Sequence, residues 1–388
     1  MRVYYATVFD SKNVHFWSGL GYYIGKMLEN QGLTVEYLNN FPIKNKVVHK
    51  LKKRLLREIF NEGYSLNFTE NVSMQYAKMI EATVPKGSII FSPNTVILAN
   101  LDNSYKKVLF TDATFERLRN FYPAYTNIRP EFLREAQQIE RKALQQSDML
   151  IYSSQWAADS AVDFYNVNPA KIAVVPFGPN IDFKLSERGV VSVIENRLTR
   201  KKVRLLLAGV SWFRKGGDYA IEVLERLNQS GIEAELHLVG FKKLPSVASK
   251  RNIIDHGFIS KSSDAGQRQF AKLLAETDFL LLPSRADCTP VVVAEANSYG
   301  LPCLISDVGG NHSIVENDVN GFIFDFTKGP AACCNYIISL KDSPEEYTKL
   351  CKGSYNKYRT MLNWEVSGRK IAQLLQEINT KTNAFSGC

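Results

Sequence analysis

The feature that most constrains the fold is a regular alternation of short apolar runs with stretches of helical spacing. In the first half of the chain the apolar runs lie at residues 2–8, 33–38, 88–91, 107–110, 148–152 and 171–175. Helical spacing fills the intervals, most clearly at 131–146 and 155–164. Strands that alternate with helices form a parallel sheet with helices on both faces. This half is therefore predicted to be a doubly wound α/β domain.

The alternation pauses at residues 176–180, Pro-Phe-Gly-Pro-Asn, which is a composition typical of a domain boundary. It then resumes, with strand patterns at residues 203–208, 235–239, 253–254, 279–282 and 302–305. We predict two Rossmann-like, doubly wound domains. The first spans 1–180 and is completed by a C-terminal helix at 363–388, and the second spans 181–362. Ligands of such domains bind at the carboxyl ends of the strands, which predicts a site in a cleft between the domains.

Composition narrows the class of protein further. The 388 residues suit two domains, and 45% hydrophobic with 22% charged residues is ordinary for a globular protein. The chain has no apolar run long enough for a membrane-spanning helix, and its N-terminus has the pattern of a strand rather than of a signal peptide. Six cysteines without a Cys-x-x-Cys pair, and only five histidines, argue against a zinc site and favour a cytoplasmic setting. The net charge of +9 favours anionic partners such as nucleotides, nucleic acid or an anionic membrane, although a basic solvated surface explains it equally well.

The strongest local pattern is the stretch 283–296, in which a strand is followed by a short loop and a helix. Asp287 is expected at the entrance of that helix and Glu295 within it. Exposed N–H groups at a helix N-terminus bind an anion or a sugar hydroxyl. The alternative is that Asp287 is only a capping group of the helix.

A second pattern, at residues 208–217, follows the first strand of the second domain and opens a helix. Arg214 and Lys215 lie at this strand–helix turn, where two cations and a helix N-terminus would neutralise a diphosphate. Taken alone, the pattern fits solvated surface cations equally well.

The first domain also has two candidate ligand-binding positions, a glycine-containing loop and an aspartate that follows a strand. Residues 16–21, Phe-Trp-Ser-Gly-Leu-Gly, lie between the first strand and the first helix, and Ile24 interrupts the glycine pattern of dinucleotide-binding proteins. NAD is therefore disfavoured, and a plain tight turn at Gly19 is the alternative to a binding loop.

Asp112 follows the strand at 107–110 and is expected to point into the cleft, where it would bind a donor or acceptor hydroxyl. A helix cap is the alternative for Asp112.

The pattern in the second domain resembles the donor-site signature of retaining family 4 glycosyltransferases, which have the GT-B fold. That signature has two acids separated by seven residues, followed by a Gly-x-Pro and a Gly-Gly pair. Here the acids are Asp287 and Glu295, and the glycine pair is Gly309 and Gly310. Asp287 stands where the family usually has Glu.

The resemblance implies that the domain 1–180 binds the acceptor and that the domain 181–362 binds the nucleotide-sugar donor. Asp287 and Asp112 are the candidate catalytic acids, although many relatives carry His in the region of Asp112. The residues implied to bind the nucleotide sugar are Gly19, Arg214, Lys215, Ser284, Glu295, Gly309 and Gly310. Among them, Glu295 would bind the ribose hydroxyls, and Arg214 with Lys215 would hold the diphosphate.

The segment from Lys44 to Phe60 has a basic amphipathic pattern. Six apolar side chains fall on one helical face: Val47, Val48, Leu51, Leu55, Ile59 and Phe60. Lysine and arginine occupy most of the remainder. Such helices are typical of proteins that bind anionic membrane surfaces. The alternative is an ordinary surface helix packed on the sheet.

Together these patterns predict a cytoplasmic, retaining glycosyltransferase that moves a sugar from a UDP- or GDP-sugar to a hydroxyl of a sugar, a lipid-linked glycan or a protein. Peripheral contact with the inner face of the membrane is a further expectation. The chain has no Asp-x-Asp motif, so we expect no metal and no cofactor besides the nucleotide-sugar co-substrate. A nucleotide-sugar epimerase of the same fold and a non-catalytic nucleotide-sugar binder are the alternatives. A nucleic-acid binder is disfavoured because the cations are not interleaved with aromatic residues.

Overall fold

The computed structural model describes residues 1–39, 41–248 and 251–383. The chain forms two compact units. Unit 1 comprises Met1–Val175 and the chain from Gly368 onward, and unit 2 comprises Pro176–Ser367. Each unit contains a six-stranded sheet in which every pair of neighbouring strands is parallel. The predicted pair of α/β units is therefore confirmed.

In unit 1 the sheet has the spatial order β2-β1-β3-β4-β5-β6. Its strands are β1 (Arg2–Ala6), β2 (Thr34–Leu38), β3 (Ile89–Ser92), β4 (Lys106–Thr111), β5 (Met149–Tyr152) and β6 (Ile172–Val174). Its helices before the boundary are α1 (Leu20–Asn30), α2 (Lys46–Phe60), α3 (Glu70–Thr83), α4 (Thr95–Leu98), α5 (Phe115–Leu118), α6 (Pro130–Gln146) and α7 (Gln155–Asp163). The strand order reverses direction between β1 and β3, which is where ligands of open α/β sheets bind.

In unit 2 the sheet has the spatial order β12-β11-β10-β7-β8-β9, which is the strand order of the Rossmann fold. Its strands are β7 (Val203–Ala208), β8 (Ala234–Val239), β9 (Ile253–Asp255), β10 (Phe279–Leu282), β11 (Cys303–Ser306) and β12 (Gly321–Phe324). The remaining helices are α8 (Glu187–Leu198), α9 (Gly217–Gln229), α10 (Asp264–Glu276), α11 (Val291–Asn297), α12 (Ala331–Asp342), α13 (Pro344–Thr360) and α14 (Trp364–Asn383). The sequence patterns did not predict β12, a short edge strand that follows a turn.

The central strands explain why the apolar runs in the sequence are continuous. Every residue of β3 and of β10 is buried, because helices and loops cover both faces of a parallel sheet.

Five cysteines of unit 2 are buried free thiols: Cys288, Cys303, Cys333, Cys334 and Cys351. Cys388 lies outside the described residues. Within the ranges that the structure describes, no helix is long and apolar enough to cross a membrane.

The boundary between the units lies between Val175 and Pro176, slightly earlier than the predicted position 180. The chain rejoins unit 1 at Gly368, slightly later than the predicted position 363. The reason is a set of contacts around Trp364, at the start of α14. Its indole N–H donates to the Pro179 carbonyl at 3.0 Å, and the Ser367 hydroxyl donates to the Pro176 carbonyl at 2.7 Å. Both segments thus belong to unit 2. From Gly368 onward α14 belongs to unit 1, where the Lys370 ammonium donates to the Val174 carbonyl.

Glu140 on α6 is a carboxyl group in the interior of unit 1, with only 2% of its surface exposed. It accepts hydrogen bonds from the Thr95 hydroxyl at 2.6 Å and from the Phe115 N–H at 3.0 Å. Burial raises the pKa of Glu140 from its ordinary value of 4.5 to about 7, and the nearby Glu116 carboxylate acts in the same direction. The folded protein therefore keeps a proton on Glu140 at a pH where the unfolded chain has lost it.

We expect Glu140 to make the protein less stable as the pH rises from 5 to 7. In this range the folded state binds the extra proton, so the free energy of unfolding falls by about 2 kcal/mol. The dependence flattens above the folded pKa of about 7, where the folded state also loses the proton. Glu140→Gln removes this contribution, and urea unfolding at pH 5, 6 and 7 measures the flatter dependence. Glu131→Gln, on the exposed face of the same helix, is the control and should keep the wild-type dependence. Equal dependences in both variants would contradict the assignment.

Candidate functional site

The predicted site residues of unit 2 meet at one edge of its sheet. Strands β7, β10 and β11 are neighbours, and the loops that follow them start at the same edge because the strands are parallel. Strand order reverses between β7 and β10, so these loops flank the switch point at which doubly wound sheets bind ligands. The first loop carries Arg214 and Lys215, and the second carries Ser284 and Asp287.

The centre of this site is an ion pair between Lys215 and Asp287. The Lys215 ammonium donates to the Asp287 carboxylate, and each residue is only 7% exposed. The Ser284 hydroxyl donates to the same carboxylate oxygen at 3.2 Å. The Arg214 guanidinium lies 3.6 Å from the other oxygen and donates to the Ala286 carbonyl at 2.8 Å. Two cations and a hydroxyl group thus surround one acid.

This geometry excludes the simpler interpretation of Asp287 as a helix cap. The N-cap of α11 is Pro290, and no side chain caps that helix end. The carboxylate of Asp287 instead contacts the loop after β7, whose sequence lies 72 residues earlier. Burial of Lys215 likewise excludes a merely solvated cation, since its side chain is 8% exposed.

Two glycines allow the loops to approach this closely. Gly216 has φ +67°, and a Cβ there would lie 1.9 Å from the Pro283 carbonyl oxygen. Gly309 has φ +56°, and a Cβ there would lie 1.9 Å from the Asp287 carbonyl oxygen. The neighbouring Gly310 N–H donates to the Cys288 carbonyl at 2.7 Å. The glycine pair predicted from the sequence therefore holds the Asp287 loop by backbone contact.

Glu295 lies on α11, with 2% of its surface exposed. Its Oε1 accepts a hydrogen bond from the Asn180 N–H at 3.2 Å and lies 2.5 Å from the Lys261 ammonium. No sequence pattern indicates either partner, because Lys261 belongs to no motif and Asn180 lies in a segment with the composition of a domain boundary. The second acid of the pattern, like the first, is held by a lysine.

Arg285 is a further residue that the sequence patterns did not single out. Its guanidinium donates to the Phe213 carbonyl at 2.7 Å and to the Asp218 carboxylate at 2.8 Å. This hydrogen bonding lowers the pKa of Asp218. The backbone N–H of Arg285 also donates to the backbone carbonyl of Arg214 at 2.8 Å. Arg285 therefore fixes the loop that presents Arg214 and Lys215.

The two remaining predicted residues, Gly19 and Asp112, belong to unit 1. Gly19 has φ +89° and precedes α1, directly after Trp17 and Ser18, which also have positive φ. Asp112 follows β4 and lines a cavity of unit 1. It is not a helix cap, because the N-cap of α5 is Thr114, whose hydroxyl accepts from the Arg117 N–H. The roles of both residues toward a substrate stay predictions.

The described part of the chain contains no group of three or more His, Cys, Asp or Glu side chains that is placed to hold one metal ion. The charged groups of the unit 2 site are instead arranged as acid–lysine pairs, Lys215 with Asp287 and Lys261 with Glu295. Such a site can exchange its internal pairs for contacts with an anionic, hydroxyl-rich ligand.

Removing Lys215 should leave the Asp287 carboxylate buried without its main partner. We expect Lys215→Met to lower the free energy of unfolding by about 3 kcal/mol, the usual cost of breaking a buried pair from one side. Lys215→Met combined with Asp287→Asn should cost less than the sum of the single changes, because the stranded charge is gone. Urea unfolding of the four proteins measures the coupling.

The control for this cycle is Lys272→Met, which breaks an exposed pair with Glu276 on α10. Exposed pairs contribute about 1 kcal/mol or less. Additive costs for Lys215 and Asp287 would show that the pair contributes nothing to stability.

Comparison with known proteins relates part of this chain to glycosyl transferases. Residues 194–357 match the family model described as Glycosyl transferases group 1. The chain is 25% identical over 164 residues to the UDP-Gal:alpha-D-GlcNAc-diphosphoundecaprenol alpha-1,3-galactosyltransferase of Escherichia coli, across 41% of this chain and 42% of that protein. It is 26% identical over 200 residues to the D-inositol 3-phosphate glycosyltransferase of Xylanimonas cellulosilytica, across 48% of this chain and 47% of that protein. The chain thus spans about half the length of the curated relatives it matches.

Among solved structures, HepE from Anabaena in complex with UDP and glucose covers 97% of this chain and 99% of its own, with a TM-score of 0.61 and 15% identity. This likeness shows the fold. The chain accordingly has two Rossmann-like units of the GT-B type, and its segment 194–357 matches the glycosyl transferases of group 1.

Proposed function

We propose that this protein is a glycosyltransferase that moves a sugar from a nucleotide sugar, UDP- or GDP-linked, to a hydroxyl acceptor in the synthesis of a glycan, glycolipid or glycoprotein. The observation that carries the proposal is the buried cluster of Asp287, Lys215 and Arg214 at the switch point of the unit 2 sheet. This cluster lies inside the segment that matches the group 1 glycosyl transferases.

The donor diphosphate would bind where two cations and a helix start coincide. Arg214 and Lys215 directly precede α9, a 13-residue helix whose N-cap is Gly216. A helix N-terminus offers unpaired N–H groups and a partial positive charge, and both stabilise an anion. Lys215 exchanges its contact with Asp287 for a phosphate oxygen, so its charge stays paired throughout. This arrangement would neutralise the diphosphate without a metal ion.

The acids then serve the sugars of the donor. Asp287, once its lysine turns to the phosphate, accepts hydrogen bonds from hydroxyls of the transferred sugar. Glu295 accepts hydrogen bonds from the ribose hydroxyls, with Lys261 and the Asn180 N–H holding its carboxylate in place. A charged acceptor binds a hydroxyl more strongly than a neutral amide does.

The proposed stereochemistry is retention. The bond from the sugar C1 to the phosphate oxygen breaks, the acceptor oxygen bonds to C1 on the same face, and the leaving phosphate takes the acceptor proton. The protein positions the acceptor oxygen and the leaving phosphate on the same face of the sugar and stabilises the charge on the leaving group. Asp112 is proposed to hydrogen-bond a hydroxyl of a reactant, and no covalent nucleophile takes part.

Thermal unfolding with UDP, GDP, ADP and their sugar conjugates tests the donor site. A nucleotide at 100 times its Kd should stabilise the protein by about 2.7 kcal/mol. We expect one base to stabilise the wild type, Lys215→Ala to lose the effect, and Glu295→Gln to weaken it. Glu276→Gln, an exposed acid on α10, is the matched control and should respond like the wild type. Stabilisation that survives in Lys215→Ala would refute the diphosphate role.

Turnover separates the transferase from its alternatives. Transfer to an acceptor supports the proposal, epimerised donor supports an epimerase, and binding without turnover supports a non-catalytic member of the fold. The anomeric configuration of the product, read by NMR, tests retention. The transfer rate measured with a chelator present tests whether the reaction needs a metal ion. An unchanged rate supports metal-independent transfer.

A second part of the proposal is that α2 contacts an anionic membrane surface. Its six apolar side chains Val47, Val48, Leu51, Leu55, Ile59 and Phe60 are 49–69% exposed. The helix instead contacts unit 1 through its flank. His49 hydrogen-bonds the Tyr64 hydroxyl at 2.6 Å, the Lys52 ammonium lies 4.2 Å from the Phe132 ring centroid, and Leu56 is buried. The alternative, an ordinary surface helix packed on the sheet, does not account for the exposure of these six apolar side chains.

An exposed apolar stripe with adjacent cations fits the interface of an anionic bilayer, where apolar side chains enter the acyl boundary and cations meet the headgroups. Because the apolar side chains are already exposed, binding would need no rearrangement of unit 1.

Co-sedimentation with vesicles tests this part. We expect the wild type to bind vesicles of phosphatidylglycerol and phosphatidylcholine, and to bind pure phosphatidylcholine weakly. Neutralising Lys50, Lys53 and Arg54 should weaken binding, since each cation contributes about 1 kcal/mol near an anionic surface. Leu51→Ser with Ile59→Ser should weaken it as well. Neutralising Lys349, Lys328 and Arg268, which are exposed cations of unit 2, is the control. Equal binding by all proteins would exclude α2.

A further inference from the structure

Gln267 lies near the start of α10, and only 7% of its surface is exposed. Its amide uses both of its N–H groups and its oxygen. Nε2 donates to the Lys261 carbonyl at 3.0 Å and to Oδ2 of Asp182 at 3.1 Å. Oε1 accepts from the backbone N–H of Asp182 at 2.7 Å. One buried side chain thus joins the loop before α10 to the segment with which the chain enters unit 2.

The two segments that this amide joins carry the two hydrogen-bond partners of Glu295. Lys261 belongs to the loop, and its ammonium lies 2.5 Å from Glu295 Oε1. Asp182 lies two residues after Asn180, whose backbone N–H donates to the same Oε1 at 3.2 Å. Gln267 therefore holds, through two separate segments, both groups that fix the Glu295 carboxylate.

We propose that Gln267 is the positioning residue of the ribose site. It sets the orientation of the Glu295 carboxylate toward the ribose hydroxyls of the nucleotide and makes no contact with the nucleotide itself. This role rests on the proposed function, in which Glu295 accepts hydrogen bonds from the ribose. It places part of the selectivity for a ribose in a buried amide that lies outside the acid and glycine pattern of the sequence.

The two oxygens of Glu295 have different surroundings, so the orientation of the carboxylate matters. Oε1 takes both hydrogen bonds from the protein, whereas Oε2 has no hydrogen-bond partner among the residues that the structure describes. Anchoring of Oε1 fixes the plane of the carboxylate and the direction of Oε2. Oε2 is thereby the oxygen that is available to a hydroxyl group of a ligand.

Lys261 is held at both ends from one face of α10. Its carbonyl accepts from Gln267, and its ammonium lies 5.5 Å from the centre of the Phe270 ring. Residues 267 and 270 are three apart and share a helix face. A contact between a cation and a ring restrains the ammonium but not the backbone that carries it. Without the Gln267 amide, Lys261 would keep its ring contact and lose the hydrogen bond that fixes its backbone.

A neutral amide of this length matches the groups around it. Glutamate at 267 would turn a carboxylate oxygen toward the Lys261 carbonyl and the Asp182 carboxylate, which both accept hydrogen bonds. Methionine is an unbranched apolar side chain, and it would leave the Lys261 and Asp182 groups without their bonds to residue 267. Both substitutions keep an unbranched side chain in this position and remove the positioning hydrogen bonds.

The affinity for nucleotides with and without ribose hydroxyls tests the inference on the full chain. The probes are UDP, GDP, ADP and their 2′,3′-dideoxy analogues, and calorimetric titration measures each Kd. For the base that binds, we expect the wild type to prefer the ribonucleotide about a hundredfold, since each hydrogen bond to a charged group contributes about tenfold. Gln267→Met and Gln267→Glu should weaken binding of the ribonucleotide about tenfold and leave the Kd of the dideoxy analogue unchanged. Damage to the fold would weaken both.

Two further proteins locate the effect. Gln269→Met replaces an exposed glutamine of the same helix and should bind both probes like the wild type. Gln267→Met combined with Glu295→Gln should have the same preference as Glu295→Gln alone, because Gln267 acts through that carboxylate. Equal weakening of the ribonucleotide and its dideoxy analogue by both Gln267 variants would overturn the inference.

The remaining outcomes separate this inference from the proposed function. A wild type that binds none of the nucleotides overturns both. Binding that depends on Lys215 but shows no preference for the ribonucleotide leaves the diphosphate site intact and overturns the ribose roles of Glu295 and Gln267. A wild-type preference that survives in Gln267→Met and in Gln267→Glu overturns the inference alone.

Discussion

The buried ion pair between Lys215 and Asp287 is the contact around which the site of unit 2 is built. It joins the loop after β7 to the loop after β10, two strands that are neighbours in space although 72 residues separate the paired side chains. A carboxylate and an ammonium at this depth are stable only when each satisfies the other. The close approach of the loops in turn requires glycine at 216 and 309, where any Cβ would collide with a carbonyl oxygen.

The second acid repeats this arrangement. Glu295 is nearly inaccessible, and Lys261 holds its carboxylate as Lys215 holds that of Asp287. In the structure both acids proposed to bind donor hydroxyls have cationic partners. On the proposed function, donor binding would exchange partners in a site that is already assembled, which would spare the cost of ordering loops when the ligand arrives. The same pairing means that loss of a lysine would affect both stability and the proposed binding.

Unit 1 offers different chemistry at two places. At the carboxyl edge of its sheet, aromatic rings and Asp112 surround a cavity, and no cation of the described part of the chain is among its lining residues. On α2, cations and exposed apolar side chains share one helix, which contacts the rest of the unit through His49, Lys52 and Leu56.

The sequence by itself determined the two sheets, because strands buried on both faces must be continuous apolar runs, as in β3 and β10. It also singled out Asp287, Glu295, Arg214 and Lys215 as candidates from their spacing after strands, but the pairing of Lys215 with Asp287 across 72 residues was decided by the neighbouring positions of β7 and β10. It did not determine β12, a short edge strand after a turn, or the partners of Glu295, since Lys261 lies 34 residues away and no local pattern links the two. The amphipathic spacing of α2 was readable, but which flank packs was not, since that depends on Tyr64 and Phe132. Periodicity records which residues share a face, whereas only the tertiary structure decides what each face contacts.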